Sequence, residues 1–204
     1  MKFNLPTKLT FLRIVLTIVI IILLVFPFYM LGFSFPRFYV SNILVDFRYL
    51  VAGIIFLFAS FTDFLDGYLA RKNNQVTDFG KFTDSIADKI LVNSVLIIFA
   101  YDGFIPVIIP VIIVLRDIVV DAIRMNVAGK GRVVAAKGSG KIKAAALMIG
   151  MTLMFFYNLP FELWGFDVSS AIIYFGTIMS IISMIEYFSL NKELLFKEPK
   201  VEEI

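Results

Sequence analysis

Uncharged apolar runs recur along the whole chain, as in Thr17 to Phe28, Ser94 to Phe99 and Ile105 to Leu115. A soluble helical protein of this kind would need polar faces that these stretches lack. Runs approaching roughly 20 residues match the hydrocarbon thickness of a bilayer. Composition agrees: 60% of the 204 residues are hydrophobic and 17% charged, where a soluble domain has about half and a quarter. The expected fold class is an all-α membrane protein with six transmembrane helices.

Polar and helix-breaking residues divide the chain into spans near roughly 9–31, 44–71, 80–101, 104–128, 141–158 and 169–190. Gly32 to Arg37, Lys72 to Asp78, the turn marked by Asp102, Gly103 and Pro106, Gly129 to Gly140, and Leu159 to Asp167 are the breaks. Residues 1–190 form one domain in this reading, and 191–204 a polar, solvated cytoplasmic tail. Met1 to Lys8 leads into a long apolar run with no small-residue cleavage site, so the first span is expected to be retained.

Basic residues sort by side. Lys2, Lys8 and Arg13, then Arg71, Lys72 and Lys81, then Arg124 to Lys143, and finally the tail lysines alternate with connections carrying only Arg37 and Arg48. The positive-inside rule places both termini in the cytoplasm, and with no transit peptide a multi-pass protein of the inner (plasma) membrane is expected. The basic pI near 9.0 then reflects membrane orientation, and no nucleic-acid partner is expected.

The chain has no cysteine and no histidine. Thiolate nucleophiles, disulfides and the usual transition-metal ligands are therefore excluded. Any chemistry runs on carboxylates, hydroxyls, Lys and Arg, and any metal is a hard, oxygen-bound cation. Ionisable groups inside spans are costly and mark functional sites. Asp63 and Asp66 are three apart on the second span, and Asp84 and Asp88 four apart on the third. Each pair projects from one helix face. An antiparallel helix pair brings all four to similar depth, roughly 5–10 Å into the bundle at ~1.5 Å per residue. Four carboxylates in one place need neutralising cations, and two Mg²⁺ or Mn²⁺ ions suit diphosphate chemistry. The competing structural reading pairs these aspartates with Lys81, Lys89 and Arg71. Gly67, Ala70 and Gly80 leave bare backbone beside them, for a ligand or for helix packing.

The order Asp63-x2-Asp66-Gly67-x2-Ala70-Arg71-x8-Gly80-x3-Asp84-x3-Asp88 resembles, at every fixed position, the signature of the CDP-alcohol phosphotransferases. The resemblance implies a six-helix membrane fold, usually a homodimer, with a polar active-site cavity open to the cytoplasmic side, that cleaves a CDP-linked donor, releases CMP and transfers the remainder to an alcohol. It implies metal ligation by Asp63, Asp66, Asp84 and Asp88, with Asp88 also the general base. Asp66, Gly67, Ala70, Arg71 and Gly80 would bind CDP.

Arg116, Asp117, Asp121 and Arg124 form a polar stripe on the fourth span, followed by Lys137, Lys141 and Lys143. Cations gathered beside a metal site suit an anionic acceptor such as a phosphate monoester. The alternatives are pairing of Arg116 and Arg124 with Asp117 and Asp121, and topology signalling by Lys130 and Arg132. Asn4-Leu5-Pro6-Thr7-Lys8-Leu9-Thr10-x2-Arg13, Arg116-Asp117-x6-Arg124, Gly140-Lys141-Ile142-Lys143 and Ile185-Glu186-Tyr187 resemble the bacterial branch of the family that works on glycerol 3-phosphate. That branch often has Glu at position 117, Thr at 144 and Leu-Asp-Pro over 83–85, where this chain has Asp117, Ala144 and Thr83-Asp84-Ser85. The expected reaction is phosphatidyl transfer from CDP-diacylglycerol to sn-glycerol 3-phosphate. Arg116, Arg124, Lys137, Lys141 and Lys143 would hold the acceptor phosphate. A sibling enzyme using serine, inositol phosphate or phosphatidylglycerol, or a divalent-cation transporter, are the alternative readings.

Overall fold

The computed structural model describes residues 5–72, 78–129 and 138–196. Six helices dominate: α1 (Leu5–Val25), α2 (Phe47–Lys72), α3 (Asp78–Tyr101), α4 (Ile108–Gly129), α5 (Gly138–Phe155) and α6 (Val168–Phe196). A two-stranded antiparallel hairpin, β1 (Arg37–Val40) and β2 (Ile43–Asp46), joins the first two helices.

Local chemistry sets these boundaries. Pro27 follows the end of α1, because proline cannot continue a helix, and a short 3₁₀ turn, Phe28–Leu31, closes on Gly32 at φ 78°. The first span thus stops short of the expected residue 31. The hairpin pairs Arg37 with Asp46 and Val40 with Ile43 across a two-residue loop whose Ser41 has φ 55°. It occupies the stretch where apolar continuity placed the start of the second span. Asp46 caps α2, its Oδ1 accepting from the Arg48 backbone N–H at 3.0 Å. Asp167 caps α6 in the same way through Ser170, at 3.0 Å. Gly103, at φ 80°, turns the chain between α3 and α4 through a conformation that side chains resist. Helix α6 runs on to Phe196, with Asn191 buried, into the stretch read as tail.

The helices form two groups of three. Helix α1 packs on α2 and α3, whereas α6 packs on α4 and α5. Fewer contacts join the groups, through α2 with α5 and α3 with α4 and α5. The main core fills this junction with Phe56, Leu91, Phe99, Ile113, Met151 and Phe155. A smaller cluster of Val120, Ile123, Val127 and Tyr187 lies between α4 and α6. Large apolar side chains also cover the outside, including Ile18, Ile22, Phe58, Ile97, Ile118 and Ile178. Such a surface fits lipid and not water. Among the described residues, the segments Thr7–Val25 and Val168–Lys192 are long and apolar enough to cross a membrane.

Candidate active site

The site lies in the junction between the two groups. Asp63 on α2 and Asp84 on α3 meet at Arg13 of α1. One guanidinium nitrogen, Nη1, lies 2.7 Å from Asp63 Oδ1 and 2.9 Å from Asp84 Oδ1. Asp88 follows one turn along α3 and lines a cavity of about 580 Å³ together with Asp63. Asp66 lies on α2 one turn past Asp63, and Gly67, Ala70 and Arg71 follow it on the same helix. Gly80 lies in the first turn of α3. The side chains of Asp66, Ala70, Arg71 and Lys81 lie outside the described set, as does Lys137 altogether.

The same cavity reaches the cationic cluster. Arg116, Arg124, Lys141 and Lys143 all line it. Asp117 organises two of them, accepting from Arg116 Nη1 at 3.0 Å and from Lys143 Nζ at 2.7 Å. Helix α6 orients the arginines: Arg116 Nη2 donates to Ser183 Oγ at 2.8 Å, and Arg124 Nη2 to the Tyr187 hydroxyl at 2.9 Å. The Arg124 guanidinium also lies 5.2 Å from the Tyr187 ring centroid. Among the described residues, the Nε groups of Arg116 and Arg124 are buried without a hydrogen-bond acceptor. A buried donor without a partner is costly.

The pairings differ in part from those weighed on sequence. Arg116 does pair with Asp117, but Arg124 takes Tyr187, and Asp121 pairs with Lys89. Asp63 and Asp84 pair with Arg13, which the sequence marked as a topological charge and as part of the opening motif without a partner. Ser183 and Tyr187 were also without a role. Such partners lie far apart in sequence, 71 positions for Arg13 and Asp84 and 67 for Arg116 and Ser183, and only packing reveals them.

Carboxylate oxygens from two helices converge on one Arg13 nitrogen, and oxygen is the donor type that a hard divalent cation takes. Among the described residues, no three acidic groups already form a cage. The donors are nonetheless all carboxylate oxygens, which suits Mg²⁺ or Mn²⁺.

Fold and site together define a helical bundle that sets acidic side chains beside a cationic cluster in one cavity. The chain matches the CDP-alcohol phosphatidyltransferase family over residues 3–183 and belongs to it. It is 39% identical over 193 residues to the CDP-diacylglycerol–glycerol-3-phosphate 3-phosphatidyltransferase of Bacillus subtilis, covering 95% of this chain and 97% of that one. The enzyme of the same name from Haemophilus influenzae is 33% identical, with 94% and 95% covered. Among solved structures, the manganese and citrate complex of phosphatidylinositol phosphate synthase from Mycobacterium tuberculosis shares the fold, with a TM-score of 0.59 at 16% identity. That likeness covers 98% of this chain and 86% of the other.

Proposed function

We propose that this chain is a membrane enzyme transferring a phosphatidyl group from CDP-diacylglycerol to sn-glycerol 3-phosphate, giving phosphatidylglycerol phosphate and CMP. The observation that carries this reading is the single cavity of about 580 Å³ with Asp63 and Asp88 near Arg116, Arg124, Lys141 and Lys143. A diphosphate donor needs the first set and a phosphate-bearing alcohol the second. The names of the Bacillus and Haemophilus relatives support the same reaction.

Six helices cross the bilayer in this reading, with both termini and the cavity mouth on the cytoplasmic side, and the working unit is a homodimer. Polar residues of α2 to α5, among them Asp63, Asp88, Arg116, Asp117 and Lys143, line the cavity. Two divalent ions, Mg²⁺ or Mn²⁺, held through Asp63, Asp66, Asp84 and Asp88 would neutralise charge on the diphosphate. Asp66, Gly67, Ala70, Arg71 and Gly80 bind the CDP portion. Arg116, Arg124, Lys137, Lys141 and Lys143 hold the acceptor phosphate, with Asp117 keeping Arg116 and Lys143 in place. Asp88 accepts the proton of the acceptor's primary hydroxyl. That oxygen bonds to the phosphorus bearing diacylglycerol as the bond to the CMP oxygen breaks. Orientation and charge placement supply most of the acceleration.

The test is CMP release by purified protein in detergent with CDP-diacylglycerol and Mg²⁺, offering glycerol 3-phosphate, serine, inositol phosphate or phosphatidylglycerol. Turnover with glycerol 3-phosphate alone is the expected result. Turnover with a different alcohol would overturn the acceptor assignment while leaving the carboxylate centre in place. No turnover with any acceptor, together with metal flux into donor-free proteoliposomes, would replace the enzyme by a cation transporter.

A further inference from the structure

The acidic centre is backed by a helix that its sequence signature does not include. Arg13 comes from α1, which packs extensively on both α2 and α3. Its side chain is fully buried, whereas those of Asp63 and Asp84 are 39% and 44% exposed. The guanidinium therefore lies behind the two carboxylates, on the side away from solvent. Both contacts use Oδ1, so the second oxygen of each carboxylate is outside them. A planar guanidinium holds carboxylates in a fixed direction as well as supplying charge. Burying it without acidic partners would be strongly unfavourable, so the three side chains specify one another's positions.

We propose, on the reading of Asp63 and Asp84 as metal ligands, that Arg13 is a positioning residue for the metal centre. It grips one oxygen of each carboxylate from behind and sets the distance between α2 and α3 at the depth of the site. The remaining oxygens are then presented together to an incoming divalent cation. Groups that orient metal ligands in this way typically change metal affinity by roughly 10- to 100-fold when removed. A guanidinium that served only as a counter-charge would act in the opposite sense. Its removal would relieve repulsion and tighten binding of a second cation.

The experiment is Mn²⁺ titration of the purified full-length chain in detergent, reading free Mn²⁺ by electron paramagnetic resonance. Wild type, Arg13→Gln and Arg13→Lys are compared, with thermal unfolding in chelator as the measure of folding. Arg13→Gln should weaken Mn²⁺ binding about 10- to 100-fold. Arg13→Lys keeps the charge without the fork and should fall between the two. Unchanged or tighter binding by folded Arg13→Gln would overturn the proposal. Should that variant not fold, Arg13→Lys decides: weakened binding supports the positioning role, and wild-type affinity overturns it. A wild-type chain that binds no Mn²⁺ removes the metal reading and this role with it. Binding by wild type with unaffected variants removes only the role of Arg13.

Discussion

Asp88 lies four residues beyond Asp84 on α3 and lines the cavity, and it makes no hydrogen bond or ion pair among the described residues. In the proposed mechanism it takes the proton of the acceptor hydroxyl. Asp88→Asn should lower CMP release by about 10²-fold or more while CDP-diacylglycerol binding persists, as turnover and equilibrium binding would show. Arg116 is held between Asp117 and Ser183, and in the proposed reaction it would bind the acceptor phosphate by charge and direction. Arg116→Gln should raise KM for glycerol 3-phosphate about tenfold or more, the loss of one charge-assisted hydrogen bond. KM for the lipid donor should stay near its wild-type value, and steady-state kinetics with each substrate varied checks the split. The aspartates of α2 and α3 were legible because helical periodicity puts residues three or four apart on one face. Arg13 and Tyr187 stood in quoted motifs, yet their partners depend on which helices touch. Nothing in the local sequence encodes that.

Among the elements, helices were readable and the hairpin was not. Ile43, Leu44 and Val45 continue the apolar character of α2, so hydropathy merges strand with helix. The capping oxygen of Asp46 separates them. Burial favours the neutral acid at Asp46, but hydrogen bonds and charge from Arg48, with Arg37, prevail and hold the carboxyl below its ordinary 3.8. A lowered folded-state value means that this contribution to stability is present above about pH 3.8 and lost as pH falls through the lower folded value. The Tm of the detergent-solubilised protein should therefore fall on acidification below that point. Asp46→Asn should lower Tm at neutral pH and remove part of that acid slope. Close packing of α5 on α6 has its own requirement. A Cβ on Gly150 would lie 2.6 Å from Ile173 Cγ1 and 3.2 Å from Ile173 N. Gly150→Ala should destabilise by ~1–3 kcal/mol, as overpacking does, seen as a lower Tm with the cavity residues untouched.

At the scale of the whole molecule, two three-helix groups enclose the reaction space between them. The number of helices and the family signature were visible in the chain. Their grouping was not, because α6 joins α4 and α5 through contacts between sequence-distant residues, such as Ile173 against Gly150. The cavity at that junction has two kinds of wall. Val92, Leu147 and Met148 give it apolar surface, and Lys141, Arg116 and Lys143 give it charge. A donor with two acyl chains reaches such a space along the bilayer, and a sugar phosphate reaches it through water. The two substrates then obey different concentration scales. At fixed total CDP-diacylglycerol, added detergent should slow the enzyme by thinning the donor within each micelle. The dependence on glycerol 3-phosphate should keep to ordinary molarity. Surface dilution in mixed micelles would read this directly, with rate following donor mole fraction in place of amount per litre.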